Sequence, residues 1–333
     1  MSITTNVPRN TVLKRYISLE KFEKLLTDKA LYFARFDRFE DRLEGGINQK
    51  NFPSISNSWG ILDRAINGCW PSVESQSDES TSKGEMLSET FSSLFGEQKK
   101  INGEAYLQNV SSWLYASCWT DLRHECQAMW QLYGSSGACC RHEAPCTKCQ
   151  ASVGMSLCIE TTLGSLIDNL VLDEGYNAIA RKIEYLDHRN AVFLEHEMAV
   201  RPFFAKALHF SYEHELRLML WPKRKDIDFS YIHNASTINE RQSVSLPLEN
   251  LDSLIHKIIL SPISYATQKQ LSDNHFSKYK TALGLPEALA NENLRQRVSA
   301  LCQEFGVSAE IVDSDLNQIS ASDCYSAWSE MAK

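Results

Sequence analysis

Residues 213–221, EHELRLMLW, carry the strongest fold signal in this chain. The apolar run 216–221 predicts a buried β-strand. Because alternate side chains of a strand share a face, Glu213, Glu215 and Arg217 are expected on one side of it and the leucines on the other. Two carboxylates and a guanidinium at the start of a strand cannot belong to an apolar core. They predict either a functional site or an ion-pair network.

Length and composition predict an acidic protein with a substantial core. The chain has 333 residues, 43% of them hydrophobic, and a formal net charge of −8. That charge excludes the bulk electrostatic attraction that drives nonspecific nucleic-acid binding. Nucleic acid is therefore expected as a substrate only.

The sequence also carries signals about location. The first residues, MSITTNVPRN, lack the apolar stretch of a signal peptide, and no window approaches the roughly 20 apolar residues that span a bilayer. We therefore expect a cytoplasmic protein without a membrane partner. Its ten cysteines are then expected to be reduced thiols, with a metal site as the main alternative.

Outward from the strand at 216–221, strands and helices are interleaved. Residues 12–17 predict a strand, Ser18 a helix cap, and residues 31–36 a second strand. Further strands are predicted at 113–119, 155–159, 183–186 and 255–260. A helix capped by Thr161 or Thr162 is also predicted, and its apolar face consists of Leu163, Leu166, Ile167 and Leu170. This order predicts an α+β fold with a mixed β-sheet core flanked by helices.

The predicted domain organisation has one main part and one extension. Residues 1–265 form the α+β domain, within which 72–104 are a polar surface excursion and 139–150 a cysteine-bearing loop insertion. Residues 266–333 are a helical C-terminal extension. Its buried stripe is predicted to consist of Leu294, Val298 and Leu301.

Several blocks together resemble the bacterial family called domain of unknown function 2971. They are RYISLEKFEKLLTDKALYFARFDRFEDRLEGG, YASCWTDLRHECQAMWQLYG, GMSLCIETTLGSL and FAKALHFSYEHELRLML. The resemblance covers roughly residues 12–265. Glu40 and Arg42 stand where the family usually has Asn and Pro, so the loop after Phe39 is expected to differ in shape. The resemblance implies a fold neighbourhood and assigns no activity.

The Glu-x-Glu pair also resembles the strand start of ADP-ribosyltransferases. That resemblance implies that Glu215 stabilises the ribosyl cation formed from NAD and that Glu213 orients the acceptor. Arg217, on the same strand face, is predicted either as part of this catalytic group or as a structural clamp for Glu215. The resemblance further implies a cofactor contact from Arg15 to the diphosphate, with Tyr16 beside it and Ser117 on a strand between. Trp130 is a separate candidate cofactor contact, through stacking on a nucleotide base. The chemistry needs a carboxylate beside an oxocarbenium-like carbon and little proton transfer. The implied partners are NAD and a nucleotide or macromolecular acceptor, in a defence or stress role.

Other functions remain open for the same residues. Asp41 and Glu44 could join Glu213 and Glu215 to bind Mg²⁺ or Mn²⁺ in a nuclease, with Lys206 or His209 as the catalytic residue. A salt bridge that only holds the fold is equally compatible with the strand, and would make the chain a noncatalytic interaction module. Trp130 fits a packing anchor as well as a base-stacking residue.

The cysteine-bearing insertion predicts a second kind of site. Cys146 and Cys149 have the spacing of half a zinc knuckle, and Cys140 and His142 could complete the ligand set. A structural Zn²⁺ would order a short polar segment that has no core of its own. The alternative is a loop of reduced thiols.

Overall fold

A computed structural model of the chain describes residues 3–39, 45, 88, 90–99, 103–134, 155–225, 227, 229, 239–262 and 292–317. The predicted α+β class is confirmed, with a mixed β-sheet and several helices. The strands are β1 (Thr4–Thr5), β2 (Val12–Ser18), β3 (Ala30–Arg35), β4 (Thr90–Ser93), β5 (Gly96–Lys99), β6 (Tyr115–Thr120), β7 (Ser156–Thr162), β8 (Tyr176–Lys182), β9 (Glu184–Leu186), β10 (Ala205–Ala207), β11 (Glu215–Pro222), β12 (Ser243–Pro247), β13 (Lys257–Leu260) and β14 (Glu310–Val312). The helices are α1 (Leu19–Asp28), α2 (Gly103–Val110), α3 (Gln127–Tyr133), α4 (Leu163–Asn169), α5 (Leu251–Leu254) and α6 (Glu292–Phe305).

The chain divides into two compact units. The first draws on Met1–Asn6, Tyr32–Cys118 and Leu172–Ser245, and the second on Val7–Leu31, Trp119–Val171 and Leu246–Lys333. This division differs from the predicted boundary at residue 265. The described part of the tail, 292–317, belongs to the second unit rather than to a separate extension, because β14 pairs with β13.

The first unit has strands of both orientations over an aromatic core. β8 pairs parallel with β1 and antiparallel with β11, while β9 and β10 form a separate parallel pair. The core is described by its buried aromatic side chains, which include Phe36, Phe91, Phe95, Tyr106, Trp113, Phe203, Phe204 and Phe229. β11 is buried over its first six residues, so its charged residues Glu215 and Arg217 lie inside the packed unit.

A β-hairpin corrects the predicted surface excursion over 72–104. β4 and β5 pair antiparallel across residues 90–99, and both Phe91 and Phe95 are buried in the aromatic core. The polar composition around these residues hid two buried aromatic side chains, Phe91 on β4 and Phe95 in the turn that joins β4 to β5. The excursion expected near Ser75 and Lys83 lies outside the described residues.

The second unit confirms the predicted helix signals. β2 pairs antiparallel with β7, and β7 with β13. The Ser18 side chain accepts a hydrogen bond from the backbone N–H of Lys21 at 3.3 Å, which caps α1, and Thr162 caps α4 in the same way. In α6 the buried stripe is Leu294, Val298 and Cys302, so Cys302 replaces the predicted Leu301.

Within the described ranges, no helix combines the length and the apolar character needed to cross a membrane.

Candidate functional site

The charged residues at the start of β11 do not all lie on the strand. Glu213 is the last residue of a 3₁₀-helix, Leu208–Glu213, and His214 follows it in the left-handed region with φ 43° and ψ 50°. β11 begins only at Glu215. The predicted common strand face therefore holds for Glu215 and Arg217 but is wrong for Glu213, because the left-handed residue interrupts the alternation of side chains.

Lys206 links Glu213 to Glu215, because it forms an ion pair with each of them. This lysine lies on β10, and its Nζ is 2.7 Å from Oε2 of Glu213 and 3.4 Å from Oε2 of Glu215. Its ammonium also lies 4.7 Å from the centre of the Phe210 ring. The sequence pointed to Lys206 only as a nuclease residue. Its central position follows from the pairing of β10 with β9, which no local pattern predicts.

Arg217 completes the group from the next inward-facing position of β11. Its Nε donates to Oε1 of Glu215 at 2.8 Å, and a terminal guanidinium nitrogen donates to the Phe203 carbonyl at 2.8 Å. The guanidinium carbon lies 4.9 Å from the Phe36 ring centre and 5.4 Å from that of Phe39. Arg217 is therefore held by directional hydrogen bonds and by two aromatic faces.

Lys206, Glu213, Glu215 and Arg217 form what we call the ion cluster. Their side chains belong to residues that are only 6%, 3%, 5% and 0% exposed, respectively. Two cations and two anions make the cluster formally neutral, and each charge has an opposite partner inside it. Buried charges are tolerated only when they are paired and hydrogen-bonded in this way.

The ion cluster keeps Glu215 ionised. Burial by itself raises the pKa of this carboxyl, but the charges of Arg217 and Lys206 and hydrogen bonds from Arg217 and the Cys118 thiol bring the pKa below its ordinary value. The backbone N–H of Glu215 donates to the Tyr185 hydroxyl at 2.7 Å. Burial raises the pKa of Tyr185, so this phenol remains neutral and accepts that hydrogen bond. The result is a fixed carboxylate anion at the first residue of a strand.

Gly45 lies against the rings of Phe203 and Phe36, two residues that contact Arg217 of the ion cluster. It has φ +77°, and a Cβ built on it would come within 3.0 Å of the Phe203 ring and 3.6 Å of the Phe36 ring. Glycine is the residue that adopts this conformation without strain, and its missing side chain leaves room for both rings. The Glu-Gly at the end of the first resemblance block was the sequence signal for this position.

The other predicted cofactor contacts fall on different segments. Ser117 is buried on β6, in the first unit. Arg15, Tyr16 and Trp130 belong to the second unit, where the rings of Tyr16 and Trp130 meet edge to face with centres 4.8 Å apart. Trp130 is buried and donates from Nε1 to Glu125 at 2.9 Å. This environment supports the packing role of Trp130.

Several predicted ligands cannot be placed against this site. Asp41, Glu44, Cys140, His142, Cys146 and Cys149 lie outside the described residues. His209 is exposed on the 3₁₀-helix 208–213. Among the residues that the structure describes, no group of three or more His, Cys, Asp or Glu side chains is arranged to hold a metal ion.

Comparison with protein-family models, with curated proteins and with solved structures finds no match for this chain. The resemblance to the domain of unknown function 2971 family therefore stays a prediction.

Proposed function

We propose that this chain is a nucleotide-acting enzyme that transfers ADP-ribose from NAD, with Glu215 as its essential carboxylate. The observation that carries the proposal is the fixation of Glu215 between Arg217 and Lys206, which holds one carboxylate ionised and oriented at a strand start. Membership of the domain of unknown function 2971 family is part of the same proposal.

The proposed reaction depends on electrostatics. The bond between the nicotinamide nitrogen and the ribose carbon breaks, and its electron pair leaves with nicotinamide. The ribose carbon gains positive charge until a nucleophile on the acceptor forms the new bond and gives up its proton to solvent. A carboxylate that is already ionised and fixed stabilises this charge without reorganising during the step. The contacts predicted for Glu213, Arg15, Tyr16, Ser117 and Trp130 remain sequence predictions, and the proposal does not depend on them.

Release of nicotinamide from labelled NAD tests this proposal. Glu215→Gln keeps the shape of the side chain and removes its charge, and should lower the rate roughly 100-fold or more, as expected for the loss of a transition-state electrostatic contact. The exposed Glu174→Gln is the matched control and should release nicotinamide at the wild-type rate. Equal rates of nicotinamide release from wild type and Glu215→Gln would reject the assignment, provided that urea titration shows both proteins to be folded.

We propose a noncatalytic interaction module as the second candidate function. The burial of all four charged groups favours it, since none is more than 6% exposed and each has a partner. On this proposal the ion cluster only holds the first unit together. Glu215→Gln would then lower the melting temperature, and neither wild type nor variant would release nicotinamide.

The nuclease alternative ranks below these two. A Mg²⁺ or Mn²⁺ ion on Glu213 and Glu215 would have to compete with Lys206 and Arg217, which already donate to those carboxylates. Metal-dependent cleavage of DNA or RNA that Asp41→Ala abolishes would restore this alternative.

A further inference from the structure

The 3₁₀-helix 208–213 covers the Lys206 ammonium from the solvent side. Leu208 and Tyr212 of this helix are 53% and 36% exposed, whereas Glu213 at its end is 3% exposed. The helix reaches Lys206 through the Glu213 carboxylate at 2.7 Å and the Phe210 ring at 4.7 Å. A short, outward-facing segment thus places one carboxylate on a buried lysine.

The ends of this segment are fixed by strands. β10 ends at Ala207 and β11 begins at Glu215, so the six-residue helix and His214 link two strands, of which β10 pairs with β9 and β11 with β8. His214 stands at its end with φ 43°, a left-handed conformation that residues other than glycine rarely adopt. An outward turn of the helix, with dihedral changes at both of its ends and His214 among them, would carry Glu213 away while Lys206 and Glu215 stay on their strands.

Charge determines what an outward movement of Glu213 would leave behind. Departure of Glu213 would remove one negative charge from a point 2.7 Å from the Lys206 ammonium. Of the two carboxylates that the described residues place on Lys206, the nearer one would be lost, since Glu215 is farther away at 3.4 Å and is also bonded to Arg217 at 2.8 Å. A buried ammonium that has lost a negative neighbour attracts an anion, and lysine is a frequent phosphate ligand.

We propose that Lys206 is a phosphate-binding residue for the diphosphate of a nucleotide, and that Glu213 occupies it until the substrate arrives. The substrate diphosphate takes the place of the Glu213 carboxylate when helix 208–213 turns outward. The same movement uncovers the Glu215 carboxylate beside it. This inference rests on the proposed function and names the contact through which the site would recognise its substrate.

Calorimetric titration of the full chain with ADP-ribose tests the inference. Glu213→Gln removes the internal competitor and should lower the Kd roughly tenfold, because less of the protein is held in the occupied state. Lys206→Gln should raise the Kd at least about tenfold, and Lys206→Arg, which keeps the charge, should stay within a few fold of wild type. Wild-type affinity in both Glu213→Gln and Lys206→Gln would overturn the inference.

Two further measurements keep the test independent of folding. Glu213→Gln leaves Lys206 paired with Glu215, so this variant remains informative even where Lys206→Gln fails to fold. Amide hydrogen exchange over residues 208–214 should speed up when ADP-ribose binds wild type, and unchanged exchange would contradict the outward movement. Inorganic phosphate that binds as tightly as ADP-ribose would overturn the nucleotide assignment.

The outcomes separate this inference from the proposed reaction. Binding that depends on Lys206 without any nicotinamide release would support the phosphate site and reject ADP-ribose transfer. Nicotinamide release that requires Glu215, together with wild-type affinity in Lys206→Gln, would support transfer and reject the phosphate site.

Discussion

Arg217 donates from Nε to Oε1 of Glu215 over 2.8 Å, two residues away on the same face of β11. The guanidinium is wholly buried and stacks on Phe36, so the pair is shielded from water. In such surroundings each charge depends on the other, because an isolated buried charge is far less stable than an exposed one. Glu215 and Arg217 therefore act as one unit in stability and in any chemistry of the site.

Replacement of Arg217 should be strongly destabilising. Arg217→Met keeps most of the apolar volume and leaves the Glu215 carboxylate buried without its closest partner, so the free energy of unfolding should fall by about 3–5 kcal/mol. Urea titration measures this change. Arg189→Met, at an exposed position, is the control and should change the free energy by no more than about 0.5 kcal/mol. A similar effect of both substitutions would contradict the clamp role of Arg217.

Glu215 should make the stability of the protein sensitive to acid. Its pKa in the fold lies below the ordinary value of 4.5, since Arg217 and Lys206 outweigh the effect of burial. A lowered pKa stabilises the fold above the unfolded-state value, and this contribution disappears as the pH falls through the folded-state value. Unfolding free energies measured from about pH 6 to about pH 3 should therefore fall more for wild type than for Glu215→Gln. Glu174→Gln should follow the wild-type curve, and equal slopes in all three proteins would refute the prediction.

The hairpin of β4 and β5 should contribute to the core of the first unit. Phe95 is fully buried and lies 5.8 Å from the Phe229 ring centre. Phe95→Ala should lower the free energy of unfolding by about 3–5 kcal/mol, through lost burial and a residual cavity. Glu97→Ala, at an exposed position of the same hairpin, should have little effect. If Phe95→Ala lowered the free energy of unfolding no more than Glu97→Ala, the hairpin would not belong to the core.

Gly45→Ala tests the close packing beside Arg217. The new methyl group would meet the Phe203 ring at 3.0 Å in a backbone conformation that disfavours side chains, and we expect a loss of about 1–3 kcal/mol. Gly306→Ala is a matched control, because Gly306 has φ +67° but no atom within 4 Å of the new Cβ. The difference between the two losses, measured by urea titration, isolates the steric contact. A loss no larger than that of Gly306→Ala would show that the aromatic rings yield at no cost.

The zinc prediction is tested by metal content. The spacing of Cys140, His142, Cys146 and Cys149 predicts about one Zn²⁺ per chain. Removal of the metal with a chelator should lower the melting temperature, since binding energy at a structural zinc site is folding energy. Cys146→Ser should reduce the zinc content of the purified protein, whereas Cys302→Ser, at a buried position of α6, should not. Less than about half a zinc per chain in wild type would count against this site.

The sequence alone determined the features that depend on neighbouring residues. The Ser18 cap and the buried strand at β11 were both predicted, because hydrogen bonds and side-chain periodicity within one element leave a local pattern. It also indicated that Glu215 and Arg217 share a face, since two residues separated by one position do so on any strand.

Tertiary structure alone decided what those residues meet. Lys206 reaches Glu215 from another strand, and Phe36 reaches Arg217 from a segment near the start of the chain. The left-handed turn at His214 places Glu213 off the strand, yet Oε2 of Glu213 lies 2.7 Å from Nζ of Lys206, which also pairs with Glu215. Such contacts join residues far apart in sequence and depend on the packing of whole elements. A local pattern therefore predicts that a buried charge needs a partner, and only the fold determines which residue the partner is.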